Sequence, residues 1–293
     1  MDDADWRRLI DQLRSGDCTP FLGAGACYGT LPTGSELSRK WANNYKYPFP
    51  DDHDLARVMQ YAAVLEGDPV SLKEQICEYL RSHGLPDFAH AGEPHALLAK
   101  FKLRVFLTTN YDNFLVEALG GAGKAASTAI CSWADRNPQE TPELPEPSVD
   151  EPLVYHLHGS WTEPSSLVLI EDDYLEYLAN VAAAQASGNR TLIPIPVLRA
   201  MTTRPLLFVG YSLQDWTFRV LFHGLLRAIP AVRLRRHVSV QLLPPVNTPI
   251  AEAEERAKQY LVRYLDAGWR ISIFWGTAAQ FCDELRRRLG PDA

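Results

Sequence analysis

The feature that most restricts the fold is a repeated change of hydrophobic period along the 293-residue chain. Short apolar runs of strand length alternate with stretches whose apolar residues recur every three or four positions. Strand-like runs are expected at Thr19–Leu22, Leu103–Thr108, Leu153–Leu157, Ser166–Ile170, Leu206–Val209, Val238–Leu243 and Ile271–Trp275. Helical segments are expected near 112–119, 172–185, 215–228, 251–266 and 278–289, between or after most of those runs. Strands that alternate with helices imply crossover connections and a parallel sheet covered by helices. The expected class is α/β, with a Rossmann-like, largely parallel sheet.

One long stretch departs from the alternation. Trp6, Leu9, Ile10 and Leu13 first mark a helical face that ends at Gly16. Thr33-Gly34-Ser35-Glu36 then has capping-box spacing, with Leu37 and Trp41 one turn apart behind it. From about Asp54 to Lys100 the pattern is helical without a clear strand. Leu55, Val58, Met59 and Ala62 form one stripe, and Ser71-Leu72-Lys73-Glu74 reads as the cap of a helix carrying Leu72, Ile76 and Leu80. Residues 45–101, approximately, are expected to be a helical insertion in a single domain spanning 1–293. The proline-rich, acidic stretch 135–152 reads as a solvated loop.

Composition narrows the function classes. The 29 basic and 36 acidic residues give a net charge of −7, which disfavours direct nucleic-acid binding. The start, Met1-Asp2-Asp3-Ala4-Asp5, is acidic where a signal peptide would be basic and then apolar. Apolar runs fall short of bilayer-crossing length. The five cysteines (Cys18, Cys27, Cys77, Cys131, Cys282) form no C-x-x-C pair, which argues against a zinc ribbon. Their odd number and wide spacing suit reduced thiols. The expectation is a cytoplasmic chain without a metal and without a membrane association.

In an open parallel sheet, ligands bind beyond the carboxyl ends of the strands. Four short polar motifs follow expected strands. Phe21-Leu22-Gly23-Ala24-Gly25-Ala26 offers glycines that let backbone approach a phosphate, or simply make a tight turn. Thr108-Thr109-Asn110-Tyr111-Asp112 is a polar cluster. Its Asn110 amide suits a ribose hydroxyl or a water, while Asp112 alone reads more simply as a helix cap. In Val154-Tyr155-His156-Leu157-His158-Gly159-Ser160, His156 and His158 share a face. His158, last before the glycine, reaches the ligand edge as a general base, and His156 reads as a structural histidine. Gly210 and Ser212 follow Leu207-Phe208-Val209, as a phosphate- or ribose-contacting loop or as another capped turn.

Taken in this order, the motifs resemble the sirtuin (silent information regulator) family, and more closely its bacterial antiphage-defence branch. Gly23-Ala24-Gly25, Thr108-Thr109-Asn110-Tyr111-Asp112, Leu157-His158-Gly159 and Gly210-Tyr211-Ser212-Leu213 carry the likeness, with Ser166–Ile170 leading to Asp173-Tyr174 as a further match. The resemblance implies a domain that binds NAD as its substrate and cleaves the nicotinamide–ribose bond. Gly23, Ala24, Gly25 and Ala26 would line the diphosphate. Thr109, Asn110 and Asp112 would hold the nicotinamide ribose, a water or the carboxamide. His158 would act at the ribose hydroxyls, with Gly210 and Ser212 supporting the ribose–phosphate portion. Asn110 and His158 are the expected catalytic pair.

Two departures separate the chain from protein deacylases of that family. It lacks the cysteine pairs of their zinc ribbon, and it has Gly29-Thr30-Leu31-Pro32-Thr33-Gly34-Ser35-Glu36 where they carry Pro-Asp-Phe-Arg. The resemblance therefore points to an NAD hydrolase, an NAD-depleting effector of antiphage defence. The alternatives are an NAD-dependent deacylase and a non-catalytic module that senses NAD or ADP-ribose. No sensor domain is visible beside the catalytic one. Control is thus expected from self-association, as a homo-oligomer, or from a complex with a separate sensor or regulatory protein.

Overall fold

The computed structural model describes residues 1–134, 144–187, 193–211, 235–243 and 251–290. Among the described residues seven strands form one sheet: β1 (Thr19–Leu22), β2 (Val105–Thr108), β3 (Ser127–Ile130), β4 (Leu153–His156), β5 (Leu206–Val209), β6 (His237–Gln241) and β7 (Ile271–Trp275). Their order is β3-β4-β2-β1-β5-β6-β7, and every pairing is parallel. The α/β, Rossmann-like expectation holds.

Side chains alternate across the sheet, as the two-residue repeat of a strand requires. Phe21, Leu107, Tyr155 and Phe208 enter one core with Tyr177 of α7 (Glu171–Ser187), Val197 and Met201 of α8 (Ile195–Thr203), and Leu261 and Leu265 of α9 (Ala251–Trp269). Leu22, Phe106, Val154, Leu207 and Val209 enter the opposite core. There they meet Trp6, Leu9 and Leu13 of α1 (Asp3–Ser15), Leu97 and Leu98 of α5 (Pro94–Ala99), Leu115 and Leu119 of α6 (Phe114–Gly121), and Phe281 and Leu285 of α10 (Ala278–Leu289).

A third core gathers α2 (Gly34–Asn44), α3 (Leu55–Glu66) and α4 (Pro69–Arg81) around Leu37, Trp41, Val58, Met59, Leu72, Ile76 and Leu80. Phe114, Trp161, Leu167 and Leu169 join it from the sheet side. The Thr33/Glu36 capping box opens α2 as expected. Helix α4 starts earlier than the sequence suggested. Pro69 takes the first turn, where its missing N–H costs nothing, and Asp68 accepts from the Val70 and Ser71 amides.

The expected strand at Ser166–Ile170 is corrected. Pro164–Ser166 is a short 3-10 turn, and Leu167–Ile170 run buried but outside the sheet. Their amides find other acceptors. Val168 N–H donates to the His158 carbonyl, and the Asp173 carboxylate accepts from Leu169 and Ile170. A short apolar run shows burial but not which acceptor takes its N–H groups. Strand β3 and helix α8 were absent from the sequence expectations, while the expected helix 215–228 lies outside the described residues.

Candidate active site

Strand β1 lies between β2 and β5, so the chain runs outward from it in both directions. Such a reversal opens a crevice beyond the strands' carboxyl ends. A cavity of about 360 Å³ lies there, lined by the turns after β1, β2 and β5, by His158 after β4, and by the α2–α4 layer. Ala24, Thr109, Asn110, Asp112, His158 and Gly210 all reach it. Leu31, Leu37, Leu55 and Leu80 face them from the helical layer, with Tyr111, Tyr174 and Tyr211 between. The mix of apolar wall and a few convergent polar groups is that of a small-molecule site.

Asn110 is held from three directions. Its N–H donates to Thr108 Oγ1 at 2.9 Å, and its carbonyl accepts from Nδ1 of His156 at 3.2 Å. Its side-chain Nδ2 reaches the Gly23 carbonyl and Cys27 Sγ, each at 3.1 Å. His156 is thus an anchor for the Asn110 backbone. Asp112 has two jobs: Oδ1 accepts from the Phe114 amide at the start of α6, and Oδ2 accepts from the Cys27 thiol at 3.2 Å.

His158 is buried, with Tyr174 and Tyr177 meeting its ring edge-on at centroid distances of 5.6 and 5.2 Å. Burial lowers its pKa from 6.5 to about 4, so the ring is neutral at pH 7. His237, in β6, is held down to about 4 by the same cause, and its Nδ1 accepts from the Leu206 amide. Both histidines have folded values below their unfolded ones, so the unfolded chain binds more protons between pH 6.5 and 4. Their stabilising contribution is complete above pH 6.5 and is lost as the pH falls towards 4. A melting temperature that declines progressively from pH 7 to pH 4.5 is expected in a thermal scan series. A flat profile over that range contradicts it.

The amides of the glycine-rich turn after β1 have partners within the protein. Gly23 N–H donates to Val209, Gly25 N–H to Gly210 and Ala26 N–H to Gly23, all to carbonyls. Three of the four amides expected at a diphosphate therefore bond within the protein. Ala24 is the member of that group that lines the cavity. Gly23 and Gly25 are needed for packing: a Cβ on Gly23 would lie 2.8 Å from the Gly210 carbonyl oxygen, and one on Gly25 would lie 2.8 Å from Gly210 Cα. Ser212, the remaining expected contact, lies outside the described residues.

Several neighbours escaped the sequence reading. Cys27 lines the cavity directly after the glycine turn. His95 and Glu93 stand behind it, in a Glu-Pro-His sequence that caps α5. The Glu93 carboxylate accepts from the His95 and Ala96 amides and also pairs with His95 Nδ1. Lys73 of α4 pairs with Asp173 at 2.9 Å, both buried, tying the helical layer to the start of α7. A cap reading would have found Glu93. The other residues have no local signal, because sequence spacing does not show contacts between distant elements.

Known proteins share sequence similarity with this chain over most of its length. A family model described as the SIR2-like domain matches residues 104–265, more than half of the chain. A curated protein of Cytobacillus dafuensis named NAD(+) hydrolase ThsA is 29% identical over 210 residues, covering 71% of this chain and 38% of that protein. Proteins of the same name from Enterococcus faecium and Acinetobacter baumannii are each 24% identical, covering 71% of this chain and 40% and 39% of their own lengths. The chain spans about two fifths of these relatives.

Proposed function

The chain belongs to the SIR2-like domain family, and on that premise we propose that it hydrolyses NAD to nicotinamide and ADP-ribose. The observation that carries the reading is the meeting of Asn110 and His158 in one cavity beyond the carboxyl ends of β1, β2 and β5. Relatives named as NAD(+) hydrolases support it. Ala24 and Gly210 line the diphosphate side, Thr109 and Asp112 the nicotinamide ribose, and Ser212 belongs with Gly210. In this reading residues 1–293 act as one catalytic domain, with the helical segment 45–101 as the roof of the nucleotide site.

The chemistry asks little of a proton donor. The nicotinamide nitrogen of NAD carries a positive charge, so the ring leaves as a neutral molecule when its bond to the ribose breaks and the electron pair returns to it. The ribose carbon then resembles an oxocarbenium ion. A water adds to that carbon, and its surplus proton passes to solvent. Asn110 positions the ribose or the attacking water through its carboxamide. His158, neutral and enclosed, accepts a hydrogen bond from a ribose hydroxyl or the water and takes the proton in passing. The reaction as written needs no metal.

The resemblance to the antiphage-defence branch gives the reaction its purpose, depletion of NAD in a bacterial cytoplasm under control of self-association or a separate regulatory protein. Among the described residues no helix is long and apolar enough to cross a membrane.

The test is incubation of the purified chain with NAD, alone and with the products of neighbouring genes, followed by chromatography. Nicotinamide and ADP-ribose in equal amounts are expected. Release that requires an acetylated peptide would replace hydrolysis by deacylation. Calorimetric binding of intact NAD without any product, under every activating condition, would replace it by sensing.

A further inference from the structure

A second chemical cluster adjoins the cavity. Cys27, His95 and Asp112 come from the turn after β1, the first turn of α5 and the turn after β2, and all three are buried. One ligand-capable atom from each lies within 4.8 Å of the others. Sγ of Cys27 is 3.2 Å from Oδ2 of Asp112 and 3.9 Å from Nε2 of His95. A tetrahedral zinc site, with bonds of about 2.3 Å to sulfur and 2.0 Å to nitrogen or oxygen, sets adjacent donor atoms roughly 3.3–3.6 Å apart. The two closer separations bracket that value.

The surroundings are those of a ligand set. Nδ1 of His95 is held by the Glu93 carboxylate, which leaves Nε2 facing Cys27. A carboxylate on the far nitrogen fixes the tautomer and orientation of metal-binding histidines. The Asn110 Nδ2–H group points at Sγ, as a donor supporting a thiolate does. Charge points the same way. Glu93 and Asp112 are two buried carboxylates around one imidazole, and neither has a Lys or Arg ion-pair partner among the described residues. A cation at the centre would neutralise them.

We propose that Cys27, His95 and Asp112 bind a borderline-soft divalent cation of the zinc class, and that its binding inhibits the neighbouring reaction. One sulfur, one imidazole and one carboxylate favour zinc over calcium or magnesium. Binding releases the thiol proton to solvent and forms bonds from the metal to Sγ, Nε2 and a carboxylate oxygen. Those bonds take Asp112 away from the ribose and fix Sγ against the Asn110 amide. They also place positive charge beside a substrate that is cationic at its reacting end. The binding half stands independently of substrate, while the inhibitory half rests on the NAD reading.

The full chain, stripped with chelator, is titrated with cobalt(II) as the spectroscopic probe. One equivalent is expected to give tetrahedral visible bands and a near-ultraviolet thiolate-to-cobalt band. Cys27→Ser should abolish the thiolate band, and Cys77→Ser should leave it unchanged. Glu93→Gln should weaken binding about 10–100-fold by releasing the His95 ring. No thiolate band in the folded wild type, or its persistence in Cys27→Ser, overturns the site. Zinc(II) is then added to the NAD assay, and loss of nicotinamide release at one equivalent is expected. Undiminished release with the site loaded overturns inhibition. A cobalt band in a chain that never cleaves NAD leaves the cation site standing and defeats the NAD reading.

Discussion

Asn110→Ala and His158→Ala are each expected to lose about 10²–10⁴-fold in nicotinamide release, the span that general-base and positioned hydrogen-bond assistance typically supply. The two losses arise differently. Removing the Asn110 amide frees its contacts to the Gly23 carbonyl and Cys27 Sγ, but the backbone stays pinned by Thr108 and His156. The variant keeps its loop and loses its polar tip. Removing the His158 ring takes away a neutral acceptor already desolvated between Tyr174 and Tyr177. Chromatography of the NAD reaction gives the rates, and circular dichroism with a cooperative thermal transition shows that the fold persists. Wild-type rates in both folded variants would sink the assignment of the pair.

The second large effect concerns stability. Gly210 has φ +69°, and a Cβ there would lie 2.1 Å from the Ala26 nitrogen and 2.4 Å from the Gly25 carbonyl carbon. Both are backbone atoms and cannot rotate away. Gly210→Ala therefore combines a left-handed backbone penalty with overpacking, together about 3–5 kcal/mol. The contrast is Gly120→Ala, in α6, where a Cβ meets nothing within 4 Å. There the better helix propensity of alanine should add about 0.5–1 kcal/mol. Urea titrations of the two variants check both signs. A midpoint for Gly210→Ala equal to that of wild type would mean that the β1 and β5 turns are not packed backbone to backbone.

Most of the architecture could be read in the chain because it depends on local chemistry. The strands that became β1, β2, β4 and β5 are short, mostly apolar runs, buried throughout as inner parallel strands are. Ser127–Ile130 is an edge strand, half exposed and built from Ser, Thr, Ala and Ile, so it carries no such run. Leu167–Ile170 shows the converse, since burial by itself made an apolar segment resemble a strand. The candidate site divides in the same way. Asn110 and His158 stood out because polar residues ended apolar strands. Cys27 and His95 did not, because their partnership depends on the packing of α5 against the β1 turn. The glycines were noticeable, yet their reason lay far along the chain, where the Gly210 backbone packs against Gly23 and Gly25.

The strand order also bears on how the molecule is made. Among the strands of this sheet β1 comes first in sequence and occupies the centre, but Thr19 pairs with Leu206. Until β5 is available, one side of β1 remains an open row of backbone donors and acceptors. Contacts so distant in sequence slow folding, and an uncovered strand edge invites association with other chains. Fragments that stop before residue 206 should therefore accumulate as aggregates, even though they contain Asn110 and His158. The ribosome must carry synthesis past residue 206 before the middle of the sheet can close.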